Sequence, residues 1–306
     1  MLKRESLKGI MPALCTITRS DGELDEEEER ALTRFCIERG VHGLAVSLIG
    51  GEFYKFTEEE RKRLYKIVID EVNGKVPVFV GTSHSGTDVT IGLSKCAENL
   101  GADGIIVLTP YFNKVEASLS LRQHFEAIMD SVSIPVMVQD SEDETGVYMT
   151  PAFYSELAEK FDNFWAVKVE GYRSLDKIIE IKRTLKDRII IFGGMGGKTL
   201  LKEMELGAKG TIPGASVCDF LVKVYEAYQK GNVDKAKEVF SKLKPFFDFT
   251  SIYGIAWIEI EKEALALRGA IKSSYGRKPK IALSEEGKKE LKLVLKRVGL
   301  LGEQKA

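Results

Sequence analysis

Cysteine and histidine are scarce in this sequence, and the few that occur are scattered. The four cysteines are Cys15, Cys36, Cys96 and Cys218, and the three histidines are His42, His84 and His124. None of them shows the close spacing that is typical of a metal site or of a disulfide framework. We therefore expect no metal and no other cofactor, and we expect a protein of the reducing cytoplasm.

An excess of charge of one sign and long apolar runs are also missing. The 306 residues contain 45 Lys and Arg and 46 Asp and Glu, so the net charge is −1. This balance argues against binding to nucleic acid or to an anionic membrane. No apolar run approaches the length of about 18 residues that spans a bilayer, and residues 1–6 lack the apolar core of a signal peptide. A hydrophobic content of 44% is enough for a large globular core.

Short β-like segments alternate with amphipathic helical segments from Gly9 onward. The predicted strands are 9–18, 43–50, 76–83, 104–111, 134–140, 164–171, 188–194 and 210–216. The predicted helices between and after them are 25–40, 57–73, 87–101, 117–132, 150–160, 174–186, 198–207 and 217–230. Eight strand–helix units of roughly 25 residues indicate an α/β protein with a (β/α)₈ TIM barrel. An open doubly wound sheet also alternates, but no Gly-x-Gly-x-x-Gly motif follows the first strand.

The alternation stops after the eighth unit. About three helices without intervening strands are predicted there, in 233–242, 255–267 and 284–298. We therefore predict a barrel over residues 1–232 and a C-terminal helical extension, packed on the barrel, over residues 233–306. Trp257, in the second of these helices, is expected in the core.

The predicted strand 164–171 combines the pattern of a buried strand with two charged residues. Side chains alternate between the two faces of a strand, so Lys168 and Glu170 share a face with Ala166, opposite the two valines. In a barrel that face points inward, near the carboxyl end where catalytic residues of this architecture lie. The pair is either a structural ion pair or a catalytic one. A lysine between apolar walls loses its charge more readily and attacks carbonyl groups, so we favour a Schiff-base lysine.

Polar and glycine-rich residues follow the other predicted strands at the same rim of the barrel. They are Gly50, Gly51 and Glu52, then Thr82, Ser83 and His84, then Tyr111, Gln139, Asp140, Gly193 and Gly194. Gln139 has no titratable proton, so it can only orient a substrate group, a carboxylate or a water. Glu52 is expected to accept hydrogen bonds from loop amides.

These residues resemble a known superfamily. The chain from about Lys8 to the C-terminal helices is similar to dihydrodipicolinate synthase and N-acetylneuraminate lyase, which are Schiff-base (β/α)₈ lyases acting on 2-oxo acids. The resemblance is carried by Gly-Gly-Glu at 50–52, Thr-Pro-Tyr at 109–111, the strand with Lys168, and Gly-Ala-x-Gly at 207–210. It implies a small-molecule 2-oxo acid substrate and a loop after strand two that binds the substrate carboxylate through backbone N–H groups. It also implies a homo-oligomer, and we expect a tetramer.

The chain departs from the synthases of this superfamily at the positions of their proton relay. They have a threonine pair where this chain has Ile49 and Gly50, a second tyrosine where it has Phe112, and a strand-five tyrosine where it has Gln139. The arginine that is common before the Thr-Gly of the following loop is Glu144 here. A synthase that needs this relay and this cation is hard to build from these residues.

One branch of the superfamily is more similar at these positions. The 2-keto-3-deoxy-arabinonate dehydratases resemble the chain in segments 76–84 and 134–140, including the glutamine, and in Lys168-x-Glu170. The loop at 50–52 looks more like that of the 2-keto-3-deoxygluconate aldolases.

We therefore predict a lyase that acts on a 2-keto-3-deoxy sugar acid, with dehydration favoured. An aldolase that releases pyruvate, a dihydrodipicolinate synthase and an inactive homologue that binds a 2-oxo acid remain alternatives. The predicted catalytic residues are Lys168, Glu170 and Gln139. The predicted substrate-binding residues are Gly50, Gly51, Ser83, His84, Tyr111 and Gly194.

Overall fold

Eight parallel strands form the centre of the molecule. The computed structural model describes residues 2–111 and 119–301. The strands are β1 (Gly9–Ile10), β2 (Leu44–Val46), β3 (Val78–Gly81), β4 (Gly104–Leu108), β5 (Val136–Ser141), β6 (Phe164–Glu170), β7 (Ile190–Gly193) and β8 (Gly210–Thr211). Within the sheet their order is β1-β8-β7-β6-β5-β4-β3-β2, so neighbours along the chain are neighbours in space.

The two ends of this sheet meet just beyond β1. Ala13 forms a parallel bridge with Ala45 of β2, and the Leu14 N–H donates a hydrogen bond to the Ala45 carbonyl at 2.8 Å. The predicted (β/α)₈ barrel is therefore confirmed. Several strands are shorter than predicted, because the residues that follow β1, β2 and β8 leave the sheet and form loops at its carboxyl edge.

Helices follow the strands around the barrel. They are α1 (Glu26–Glu38), α2 (Glu58–Val72), α3 (Thr87–Asn99), α4 (Leu119–Ser131), α5 (Glu142–Thr145), α6 (Pro151–Lys160), α7 (Ser174–Leu185), α8 (Leu200–Glu205) and α9 (Cys218–Gln229). Thr57 and Glu60 form a capping box at the start of α2, which satisfies backbone donors that the first turn leaves unpaired. The predicted start of α4 at Ala117, and Phe112, lie outside the described residues. The one-turn helix α5 was not predicted.

The C-terminal part of the chain is helical. It contains α10 (Val233–Lys242), α11 (Lys244–Ile252), α12 (Trp257–Leu267) and α13 (Glu285–Arg297), with no strand in the described residues 233–301. Helix α11 was not predicted. Pro245 lies in its first turn, where the missing N–H breaks no helical hydrogen bond. The boundary between barrel and extension at 232/233 stays a prediction. Among the described residues, no helix has the length and the apolar character needed to cross a membrane.

The alternation of side chains along β6 divides the core into two parts. Ala166 belongs to an apolar cluster inside the barrel, together with Met137 of β5. Val167 and Val169 belong to the larger cluster between the sheet and the helices. Lys168 is on the same face as Ala166 and pairs in register with Gln139. The lysine therefore lies inside the barrel, above an apolar floor and towards the carboxyl ends of the strands.

Candidate active site

A cavity of about 370 Å³ lies at the carboxyl ends of the strands. The residues that line it come from strand ends, from the loops that follow, and from the C-terminal helices; they include Ile49, Gly50, Ser141, Lys168, Glu170, Met195, Lys198, Phe246, Phe247 and Trp257. Its size suits a small organic molecule. Among the described residues, no group of three or more His, Cys, Asp or Glu side chains is arranged to hold a metal ion.

Lys168 and Glu170 form a close ion pair in the wall of this cavity. Lys168 is 4% exposed, and its Nζ donates to Glu170 Oε2 at 2.5 Å. The same Oε2 accepts a hydrogen bond from Gln139 Nε2 at 2.7 Å. The other carboxylate oxygen, Oε1, accepts the Met195 N–H at 3.3 Å. Both oxygens of Glu170 are thus held by donors, which fixes the carboxylate beside the Lys168 ammonium.

The glycine at position 194 makes this arrangement possible. A Cβ built on Gly194 would overlap the carboxylate of Glu170, so a larger residue would displace it. Gly194 is not among the residues that line the cavity. Its predicted contact with substrate stays a prediction, and its geometry gives it a second role as the residue that leaves space for Glu170.

The loop after β2 carries the two glycines predicted to bind the substrate carboxylate. Gly50 lines the cavity, and a Cβ at this position would lie 3.3 Å from the ring of Trp257. The Gly51 carbonyl accepts the Thr16 hydroxyl at 2.6 Å, which holds the turn against the segment after β1. The turn ends at Glu52, which has left-handed backbone angles (φ 54°). Gly50 thus stands at the cavity in a turn whose next residue is bonded to the segment after β1.

Glu52 fastens this loop to the C-terminal extension. Its carboxylate accepts hydrogen bonds from two lysines and not from the loop amides that were predicted. Lys262 of α12 donates to Oε2 at 2.6 Å, and Lys55 donates to Oε1. Glu52 is 2% exposed and Lys262 is fully buried. Because breaking a buried ion pair is costly, α12 and the loop after β2 are held in one relative position.

Three other predicted substrate-binding residues, Ser83, His84 and Tyr111, are not among the residues that line the cavity. The Ser83 hydroxyl accepts a backbone N–H from the end of β4 at 2.9 Å. The ring Nδ1 of His84 accepts the Gly86 N–H, also at 2.9 Å. The ring of Tyr111 packs edge-on against Phe53, with centroids 5.9 Å apart. Their contacts with substrate stay predictions.

Several lining residues were missed because they come from the C-terminal extension. Trp257 is 36% exposed and lines the cavity, so its assignment to the core is wrong. Phe246 and Phe247 of α11 also line it. No local pattern indicates that these helices fold back over the barrel mouth. Lys198 could have been found, since it follows the glycine-rich turn 193–197 at the end of β7, on the same rim as the predicted site.

The wall formed by α5 is acidic. Asp143 and Glu144 both line the cavity. Removal from bulk water, together with the charges of Glu170 and Asp143, raises the pKa of Glu144. The α5 side of the cavity therefore has a carboxyl group that can accept a hydrogen bond from a hydroxyl or share a proton with it.

Comparison with known proteins agrees with this fold. A profile of the dihydrodipicolinate synthetase family matches residues 6–298. YagE, a putative 2-dehydro-3-deoxy-D-gluconate aldolase of Escherichia coli K12, is 32% identical over 95% of this chain and 97% of its own length. A 4-hydroxy-tetrahydrodipicolinate synthase of Methanopyrus kandleri is 33% identical over 97% and 98%. The crystal structure of YagE in complex with pyruvate matches with a TM-score of 0.89 and 31% identity, covering 96% of this chain and 99% of the other.

The fold and the match along nearly all of the chain define a (β/α)₈ lyase. The chain belongs to the dihydrodipicolinate synthetase family. Its relatives are named both as synthases and as sugar-acid aldolases, so membership of the family does not by itself give the substrate.

Proposed function

We propose that this protein is a lysine Schiff-base lyase that removes water from a 2-keto-3-deoxy sugar acid. The observation that carries the proposal is the buried Lys168, 2.5 Å from a glutamate that Gln139 also holds. A small-molecule 2-oxo acid is the expected substrate, with its carboxylate on the backbone of the Gly50 loop. The complex of YagE with pyruvate supports a 2-oxo acid as ligand.

In the proposed reaction, Glu170 accepts a proton from Lys168, and the free amine attacks the 2-oxo carbon. Loss of water from that carbon gives an iminium ion, which draws electrons from the neighbouring bonds. Removal of a C3 proton then forms an enamine, and its electrons expel the C4 hydroxyl, which leaves as water once it is protonated. With a pentonate, loss of a C5 proton and gain of a proton at C3 convert the unsaturated iminium into the enol of an aldehyde. Water then hydrolyses the iminium, which frees Lys168 and releases the 2-oxo semialdehyde.

Glu170 is the nearest described carboxylate to Lys168. It passes the lysine proton to the hydroxyl that leaves the 2-oxo carbon as water, then removes the C3 proton and gives that proton to the C4 hydroxyl. Gln139 keeps its carboxylate in place.

Dehydration is favoured over carbon–carbon cleavage because of the residue at position 139. Cleavage needs a base for the C4 hydroxyl, a step that the strand-five tyrosine of related enzymes performs. A glutamine amide cannot take that proton. The donation of the Gln139 amide to Glu170 supports an orienting role instead.

Cleavage to pyruvate and an aldehyde is the second candidate. It is favoured by the similarity to YagE, whose name is that of an aldolase, and by the loop at 50–52. In that case a bound water would relay the proton from the C4 hydroxyl. The synthase reaction has less support, because Gln139 and Glu144 stand where the relay tyrosine and the cation are expected.

Trapping with borohydride tests the Schiff base. The wild type incubated with pyruvate and borohydride should gain the mass of a reduced adduct, which peptide mapping should locate on Lys168. Lys168→Ala should lose both the adduct and at least about a thousandfold in turnover. Lys202→Ala, at an exposed position of α8, is the matched control and should retain both. Absence of an adduct on Lys168 in the wild type would favour the inactive homologue.

Product analysis tests which bond breaks. Incubation with the isomers of 2-keto-3-deoxy-pentonate should give a 2-oxo semialdehyde as the main product. Pyruvate plus an aldehyde as the main products would show that the protein is an aldolase and that dehydration was the wrong choice.

We further propose that the protein works as a cytoplasmic homotetramer. The resemblance to the family supports this state, and the four cysteines are unpaired in the structure. Light scattering after size-exclusion chromatography should give about four times the mass of the 34.1 kDa chain. A monomer at micromolar concentration would contradict it.

A further inference from the structure

A second lysine, Lys198, lines the cavity that contains Lys168. It follows the glycine-rich turn after β7, and its Nζ donates to the hydroxyl of Ser251, in α11, at 3.0 Å. Among residues 2–111 and 119–301, no carboxylate forms an ion pair with Lys198. In this it differs from Lys168 and Lys262, each of which is paired with a glutamate.

The charge of Lys198 is only partly solvated, and no carboxylate in the described part of the chain forms an ion pair with it. Its side chain is half-buried, and burial alone lowers the pKa of its ammonium group. Removing a charge from water without a partner is unfavourable, and the hydroxyl of Ser251 compensates only in part. A negatively charged group of a ligand in the cavity would supply the missing partner.

Lys198 and the acidic wall reach the cavity from different elements. Asp143 and Glu144 belong to α5, whereas Lys198 follows the turn after β7 and donates to Ser251 of α11. The cavity thus has carboxylates suited to hydroxyl groups and, on another element, a cation suited to an anion.

We propose that Lys198 determines specificity by binding a second anionic group, a carboxylate or a phosphate ester, at the end of the substrate chain distal to the 2-oxo acid. The proposal rests on the proposed function, since Lys168 and the Gly50 loop hold the 2-oxo acid end. Hydroxyl groups between the two ends would face Asp143 and Glu144. The substrate class is then a sugar acid with a negative charge at both ends.

Borohydride trapping with matched ligands tests this assignment. 2-Oxoadipate and 2-oxohexanoate have the same chain length and differ in the distal carboxylate. 2-Keto-3-deoxygluconate with and without a 6-phosphate tests a phosphate ester as the distal anion in the same way. The quantity measured is the concentration that gives half-maximal adduct on Lys168, for the wild type, for Lys198→Gln and for the exposed control Lys202→Gln.

In the wild type, at least one distal anion should lower the half-saturating concentration by about tenfold relative to its neutral match. Lys198→Gln should remove this preference and Lys202→Gln should keep it, with each half-saturating concentration expressed relative to that of pyruvate for the same variant. The matched pair of ligands that shows the preference identifies whether the distal anion is a carboxylate or a phosphate ester.

Equal half-saturation for both matched pairs in the wild type would overturn the proposal, as would a preference that persists in Lys198→Gln. A wild type that does not trap even pyruvate would overturn the proposed function and this proposal with it. That result is distinct from the other two, because they require the pyruvate adduct to form.

Discussion

The ion pair between Lys262 and Glu52 allows the role of the C-terminal extension to be measured. Lys262 lies in α12 and is fully buried, and its Nζ is 2.6 Å from Oε2 of Glu52, the residue that ends the turn containing Gly50. Lys262→Met keeps most of the side-chain volume and removes the charge. It leaves the buried Glu52 with Lys55 as its remaining ion-pair partner among the described residues.

The expected cost follows from the burial of both partners. Removing one member of a buried ion pair destabilises a protein by about 3–5 kcal/mol, because the other charge stays buried without compensation. Lys55 still donates to Oε1 of Glu52, so we expect the lower end, a loss of about 3 kcal/mol in the free energy of unfolding. The loop should also loosen, which raises the pyruvate concentration needed for half-maximal trapping on Lys168.

Urea denaturation at pH 7 followed by circular dichroism measures the first effect, and borohydride trapping measures the second. Lys272→Met is the matched control, since Lys272 is in the same part of the chain but its side chain is 88% exposed and pairs with Glu28. Because the Lys272 ammonium lies in solvent, its removal should change the free energy of unfolding much less. A loss in Lys262→Met no larger than in Lys272→Met, with unchanged trapping, would refute the idea that this ion pair holds the loop.

Two further substitutions test the site and the pH response. Gly194→Ala should displace the Glu170 carboxylate and lower turnover by about a hundredfold. Gly92→Ala is the control and should leave turnover unchanged, because a Cβ at position 92 has no atom within 4 Å; equal turnover of the two variants would show that Glu170 is not held where the structure has it. His124 is buried beside Thr87, and burial lowers its pKa to about 4, below the value of about 6.5 expected in the unfolded chain. The stability that neutral, buried His124 gives to the fold is therefore present above pH 6.5 and is lost as the pH falls towards 4. Between pH 7 and pH 4, urea denaturation should show that the free energy of unfolding falls by about 3 kcal/mol more in the wild type than in His124→Asn. Parallel pH profiles of the two proteins would contradict this.

The sequence by itself determined the barrel and the position of its lysine. Strand and helix periods are local properties, and eight alternating units in one series leave few alternatives to a closed barrel. The placement of Lys168 inside the barrel follows from the period of two along β6, which also puts the neighbouring valines under the helices. Gln139 could be placed in the same way, because β5 and β6 are parallel neighbours and their carboxyl ends meet at the same rim.

Tertiary structure alone decided what surrounds these residues. The sequence placed Trp257 in the core, whereas the fold of the extension brings it to the cavity. The contact between Lys262 and Glu52 joins residues 210 positions apart, and no local pattern indicates such a pair. The partners of a side chain on a helix depend on how that helix packs, and helix packing is set by the sum of many weak apolar contacts along the whole chain. For that reason the periodicity of the sequence predicts the face of a strand, but only the packed molecule shows which distant helix closes the site above it.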